Sequence, residues 1–425
     1  MMNKKILTTI LLLAFLLCIQ LTSYAITANG NLTSAFWVRE NRLENPQDAK
    51  TNLFIYEYLN LFATNIGSPK IAANLSGRAK WDKINGFEEK DSLRIYQGYI
   101  DWKESNKVSL RLGRQFLPND VGLWQMDGLR IETFRSGYIS PSFYAGAAIL
   151  PWTINGDKEP LLGVELGTKR LYGLRSKLNF LAIFYGDKDN LVSGLDKAIV
   201  GIQIDKFGES ILEILESPHN RLNLYGRGSV DIISKKVINS YLFANMRVTP
   251  KIDLSLGYQQ DEPLFPADSI FSVFNTETFR QLNASADYQI LRLVVLRGDW
   301  TRQFFDSGPI DRYSAGIAVT SKSEPVLTIR LENLNDIDTN YWRVYSHIGK
   351  QFGRRLEIGL SNYYNNYRLT ESLHNKNAYS FQLKTSYQLS RNLHVLFRVE
   401  DNINPDYKYN IRALGYLRMG FGLGK

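Results

Sequence analysis

The sequence predicts an all-β chain: a transmembrane antiparallel up-and-down β-barrel of about 18–22 strands, following a leader segment. Three observations predict it. A period of two in polarity recurs from about Gly30 to Leu423. A secretion-type leader stands at the N-terminus. The connections between the alternating segments are short and long in turn.

The leader is read first. Lys4 and Lys5 form a positive start, Ile6 to Ile19 is largely apolar, and Ser23-Tyr24-Ala25 fits a small-x-small cleavage site. Residues 1–25 are expected to be a signal peptide, and 26–425 the mature barrel. The single cysteine, Cys18, lies inside the leader, so the mature chain carries no disulfide and no thiol chemistry. Leu17 stands before it where lipoprotein processing needs a small residue. Ser136 to Gly156 is uncharged, but Pro141, Gly146 and Pro151 interrupt it, so strands rather than helices must span.

Composition is consistent with this and does not prove it. Hydrophobic residues make up 44% of the chain and mean hydropathy is −0.24, a value expected of a barrel with an apolar outside and a wet inside. Aromatics reach 12%, with 24 tyrosines, which suits the girdles at the two membrane interfaces. The net charge of +9 falls to +7 when Lys4 and Lys5 leave with the leader. No basic block stands out. The charge therefore argues for a mildly cationic lumen and loop set, and not for nucleic acid as a partner.

Alternation places the strands in order. They are expected at Gly30–Glu40, Asn52–Phe62, Lys70–Trp81, Ser92–Trp102, Lys107–Leu117, Met126–Arg135, Ser140–Leu150, Leu161–Tyr172 and Lys177–Gly186. The middle gives Lys197–Lys206, Arg221–Val230, Val237–Val248 and Ile252–Gln260. Then come Thr278–Tyr288, Arg292–Gln303, Arg312–Thr320, Val326–Asn333, Asn340–Lys350, Leu356–Arg368, Ala378–Leu389, Asn392–Asp401 and Ile411–Leu423. Most are close to the roughly 9–11 residues that a tilted strand needs to cross a bilayer. Both chain ends fall on the short-turn side if Gly208–Asn220 is one connection, within which Ser210 to Glu216 suits a short helix.

Faces follow from parity. In the last strand Ile411, Ala413, Leu417, Met419, Phe421 and Leu423 oppose Arg412, Tyr416 and Arg418. Leu296 and Trp300 oppose Arg297 and Asp299, and Leu393, Val395, Phe397 and Val399 oppose His394, Arg398 and Glu400, with Leu396 breaking the pattern. A charge on a lipid face costs about 2–4 kcal/mol at the midplane, so the polar face must meet water. A soluble sandwich would produce the same alternation with the faces inverted. The leader, the tyrosines and the loop lengths favour the barrel.

The stretches most like a motif are Leu110-Arg-Leu-Gly-Arg-Gln115 and Asp127-Gly-Leu-Arg-Ile131. With them the chain resembles Gram-negative outer-membrane porin-like barrels, a group in which porins and alginate-export-type barrels carry strand pairs of this kind. The resemblance is architectural and covers nearly all of the mature chain. It implies a protein integral to the outer membrane, with bilayer lipid and the barrel-insertion machinery as partners, small hydrophilic solutes as cargo, and a possible homo-oligomer. One departure is the C-terminus, where Gly422, Leu423, Gly424 and Lys425 follow Phe421, a variant of the usual terminal aromatic signal.

Enzyme chemistry is not expected. His219, His347, His374 and His394 lack metal-ligand spacing, and no nucleophile elbow, phosphate loop or dinucleotide fingerprint occurs, so no cofactor is expected. Asp187-Lys-Asp189-Asn190 hints at a calcium loop, but Val192 stands where the turn glycine is required. The candidate pore-lining residues are Arg111, Arg297, Asp299, Arg330, Glu332, Arg343, Lys384, Arg398, Glu400, Arg412 and Arg418. Two readings of them stay open: a cationic lumen that favours anions, or Arg–carboxylate ladders that brace the wall. The longest loop, Asp261–Glu277, is either an outer lid or a constriction folded inward. The expected function is a passive channel. A dedicated export or secretion-linked barrel and a non-conducting structural barrel are the alternatives.

Overall fold

The computed structural model describes residues 26–43, 50–84, 92–105, 107–117, 124–133, 139–149, 159–168, 174–187, 190–206, 221–261, 278–305, 308–320, 326–335, 339–369, 376–404 and 407–423. They form β1 (Thr27–Leu43), β2 (Lys50–Thr64), β3 (Ile71–Ile84), β4 (Ser92–Ser105), β5 (Val108–Phe116), β6 (Gln125–Thr133), β7 (Ile139–Ile149) and β8 (Glu159–Thr168). Next are β9 (Leu174–Asp187), β10 (Asn190–Lys206), β11 (Arg221–Asp231), β12 (Lys236–Thr249), β13 (Ile252–Asp261), β14 (Phe279–Leu291) and β15 (Val294–Phe305). The last are β16 (Gly308–Val319), β17 (Val326–Asn335), β18 (Thr339–Phe352), β19 (Leu356–Leu369), β20 (Lys376–Gln388), β21 (Leu393–Ile403) and β22 (Tyr407–Leu423). No helix among the described residues is long and apolar enough to cross a membrane.

Each strand pairs antiparallel with the next, and β1 pairs with β22 from Ala28–Leu423 to Leu43–Tyr407, so the sheet of 22 strands closes with no free edge. Closure satisfies every ladder without water, the condition for strands to sit in hydrocarbon. Every expected segment is a strand. β10 starts at Asn190 rather than Lys197, so most of the long connection expected at Asp187–Leu195 is strand. β10 pairs directly with β11, and the strands among the described residues number 22, an even count. Tight turns also occur at the long-loop end, at residues 232–235 between β11 and β12, so the alternation of loop lengths holds less strictly than expected. The leader, the helix expected at Ser210–Glu216, most of the loop Asp261–Glu277 and the centre of the suspected calcium loop lie outside the described residues.

The two faces are told apart by reach. Lys197 of β10 lies 5.2 Å from the ring of Trp124 beside β6, and the Tyr144 hydroxyl of β7 donates to the Phe180 carbonyl of β9 at 3.3 Å. Side chains of non-adjacent strands meet only on the concave side of a sheet. That side is the one carrying Arg111, Arg297 and Glu332; the convex side carries Leu112, Leu162, Leu242, Leu256, Leu296, Leu360 and Phe397, all exposed. The convex face is therefore an apolar belt that faces lipid.

One sector departs from a simple wet lumen. On the concave face, near the long-loop end of β5–β12, Met126, Leu161, Leu181, Ile183 and Ile199 are at most 1% exposed and form a cluster with Trp124, Tyr144 and Ile238. A tight bend makes this possible. Gly113, Gly128 and Gly146 lie opposite one another on three neighbouring strands. A Cβ on any of them would collide with the backbone of a neighbouring strand, and Gly113 also has φ of +125°. Backbones this close demand glycine. The bend folds the wall onto itself, and apolar side chains fill the fold.

The motif-like stretches belong to the same bend. A bulge in β4, at the register shift opposite Ser76 and Gly77, leaves the carbonyls of Ile95 and Tyr96 off the ladder. Arg114 donates to the first at 3.2 Å and Gln125 to the second at 3.1 Å. Arg114 is held in turn by a bidentate pair with Asp127, at 2.8 and 2.9 Å. Arg114 and Asp127 lie on the convex face, in line with exposed Leu112 and Leu129. There Arg114 supplies the hydrogen bond that lipid cannot supply to a loose carbonyl.

Candidate functional site

The sequence candidates all lie on the concave face, but they divide into two groups. Most are locked in pairs across neighbouring strands. Arg111 of β5 forks onto Asp101 of β4 at 2.7 and 3.1 Å and covers the Tyr99 ring at 4.2 Å. Arg297 of β15 forks onto Asp287 of β14, with Nε at 2.6 Å. Asp299 accepts from Arg330 at 2.6 Å and from Ser314 at 2.9 Å, joining β15, β16 and β17. Glu332 meets Arg343 at 3.6 Å and accepts from the Tyr341 hydroxyl at 3.2 Å, while Arg343 donates to Asn365 at 2.7 Å. Lys384 pairs with Glu357 at 3.1 Å. These are the bracing ladders.

Arg398, Arg412 and Arg418 are different. Among the described residues none of the three has an ion pair. Glu400, directly opposite Arg412 and two residues from Arg398, is engaged by amides instead: Asn402 donates at 2.8 Å and Gln382 at 3.3 Å. Arg418 stands apart, toward the short-turn end of β22, opposite Thr33 and His394.

Arg398 and Arg412 share a recess of about 350 Å³ with Arg78, Glu400, Trp37, Tyr56, Tyr58 and Tyr416. It sits midway along the wall at the seam where β1 meets β22, and draws on β2, β3 and β21 as well. Its aromatic wall is continuous: ring centroids are 5.5 Å apart for Trp37–Phe54, 6.3 Å for Phe54–Tyr56 and 6.2 Å for Tyr56–Tyr58. Residues two apart on a strand project side by side, which produces such a row. Arg78 lies 5.5 Å from the Tyr56 ring and Lys80 lies 5.1 Å from the Phe54 ring. The Nε atoms of Arg78 and Arg412 are enclosed and donate no hydrogen bond among the described residues. Chemically the recess offers forked donors for an oxyanion beside apolar ring surface.

Parity alone missed most of this recess. In β2, Ile55, Glu57, Leu59 and Leu61 occupy one face and Phe54, Tyr56, Tyr58 and Asn60 the other, so polarity does not tell the faces apart. The register with Ala35, Trp37, Arg78 and Lys80 places the aromatics inside. A larger depression, about 870 Å³, lies on the convex face over Ala284, Ala286, Gly298 and Ala315, and belongs to the lipid belt. No group of three or more metal-ligating side chains occurs among the described residues.

A closed antiparallel sheet with a lipid-facing apolar belt, no free edge and a charged, laddered interior has the architecture of a transmembrane β-barrel. No protein-family model matches the chain. No curated protein sequence matches it either. Among solved structures it is similar to Pseudomonas aeruginosa OccK3 (OpdO), at 9% identity and a TM-score of 0.47, covering 93% of this chain and 96% of that one. It is similar to Pseudomonas aeruginosa OpdQ, at 10% identity and a TM-score of 0.47, with 94% and 98% covered. The P pilus usher (PapC) translocation pore is similar at 9% identity and a TM-score of 0.48, with 94% and 100% covered.

Proposed function

We propose that the protein is a passive outer-membrane channel for small hydrophilic solutes, with a weak preference for anions. The observation that carries this is the contrast within the wall. Arg297 and Arg330 are neutralised by Asp287 and Asp299, whereas Arg398 and Arg412 are left without carboxylate partners at mid-wall. Uncompensated charge beside water raises the local anion concentration, most strongly at low salt. The eleven candidates line the pore in this reading, but their weights differ: the paired residues brace, and Arg398 and Arg412 select.

A salt gradient across a planar bilayer tests it. Wild-type protein should conduct, with a reversal potential of anion sign. Neutralising Arg398 and Arg412 together should remove most of that potential, and neutralising Arg297 and Arg330 together should remove less. Clear cation selectivity in the wild type would defeat the arginine account. Closed, folded protein without conductance would leave a structural barrel.

A further inference from the structure

We infer that the seam recess is a saturable binding site for organic dianions that carry a flat ring. This rests on the channel reading above and sharpens it from a general preference for anions to one ligand class. The first argument is charge. Arg78, Arg398 and Arg412 bring three positive charges to the recess, and Glu400 brings one negative. The Glu400 carboxylate is already held by Asn402 and Gln382, so it does not quench the guanidinium groups by direct contact. The recess therefore carries a net charge of about +2, which a dianion matches and a monoanion leaves half-compensated.

The second argument is geometry. Everywhere else among the sequence candidates except at Arg418, an inward cation is tied to a carboxylate of its own wall. Five candidate cations are tied to carboxylates of their own wall, whereas two stand unpaired around one hollow, which leaves room there for a partner that is not part of the chain. The third argument is the lining. Trp37, Tyr56, Tyr58 and Tyr416 present ring surface beside the charges. Flat apolar bodies bind such surface while their charged ends meet the arginine forks. A volume of about 350 Å³ suits a solute of modest size and does not suit a polymer segment. Inorganic anions would use the charge and leave the rings idle.

The test uses the full chain in planar bilayers with terephthalate, a ring dianion, against benzoate, its monoanionic counterpart. Terephthalate should block current saturably, with a half-blocking concentration at least tenfold below that of benzoate. The double variant R398Q/R412Q should raise the terephthalate value at least tenfold and erase the preference. E400Q, which makes the recess more positive, should lower it severalfold; R297Q should leave it unchanged. A heat-shifted gel band checks that each variant has closed. Equal blocking by terephthalate and benzoate, or a double variant that blocks like wild type, overturns the site while leaving the channel reading intact. Terephthalate binding to the detergent-solubilised protein, measured by equilibrium dialysis, separates the two ideas. Binding without conductance overturns the channel and keeps the site; conductance without binding does the reverse.

Discussion

The sector from β5 to β12 and the sector from β13 round to β4 are built from the same alternating pattern, yet they bury different things. In the first, the concave face holds Leu181, Ile183 and Ile199 at 0% exposure, packed into a fold of the wall. In the second, the concave face holds ladders such as Asp299–Ser314–Arg330, and most of its side chains stay partly exposed. The lesson is that parity fixes which residues share a face, but wall curvature decides what that face becomes. Where a glycine row lets the sheet bend sharply, inward side chains meet one another and exclude water, so apolar residues stabilise. Where the wall is open, the same positions must be polar.

This contrast can be broken most forcefully at the bend. Gly128→Val places side-chain atoms where the Ala145 carbonyl and Gly146 already are. It should abolish closure, removing the heat-shifted band, because the clash is with backbone and exceeds the usual ~1–3 kcal/mol of overpacking. Gly298→Ala, in the open sector with nothing within 4 Å, should close normally. If both variants assemble alike, the bend does not depend on glycine.

The next largest effect tests the packing. Leu181→Ala should cost about 2–5 kcal/mol in urea unfolding from micelles, the range for a buried core truncation. Leu254→Ala, on the lipid belt of the open sector, should cost under about 1 kcal/mol more than the loss of its own contact with detergent. Leu296→Arg and Phe397→Arg probe the belt itself and should each cost about 2–4 kcal/mol near the midplane. Equal losses for Leu181→Ala and Leu254→Ala would mean that the cluster is not a core.

The smallest effect sharpens the division among the arginines. Arg330→Gln breaks a half-exposed ladder and should lower stability by about 1 kcal/mol or less, with assembly intact. Arg398→Gln breaks no ion pair and should change stability still less, while changing selectivity. Larger stability loss at Arg398 than at Arg330, by the same urea titration, would show that the recess is a brace after all.

How far the sequence could be read follows from the same physics. All the strands were visible, because period two survives wherever one face meets lipid. Facing was also visible where the two sides differ in polarity, as at Leu296 and Arg297. It failed in β9, where Leu178, Phe180 and Ala182 alternate with Leu181 and Ile183, and both faces are apolar. It also failed at Arg114 and Asp127, charges on the outward face whose purpose lies in the β4 bulge rather than in their own strands. Arg398 and Arg412 were found but could not be told from Arg297 and Arg330, since pairing is a property of neighbours and not of residues. The aromatic half of the recess stayed hidden because Trp37 and Tyr416 come from opposite ends of the chain.

The seam has a further consequence for how the barrel forms. Every pairing except β1–β22 joins strands consecutive in the chain, so most of the wall can zip as a run of hairpins of low contact order. Ring closure alone requires the two chain ends to meet. Its added entropic cost over a hairpin grows only with the logarithm of the span, about 2 kcal/mol for a tenfold or so longer loop. That is small beside a ladder running from Ala28–Leu423 to Leu43–Tyr407. Trp37 and Arg412 are strangers until that last ladder forms. A fluorescence change at Trp37 during refolding would therefore time the closing of the ring, and a barrel stalled one ladder short would have its belt and its braces but no recess.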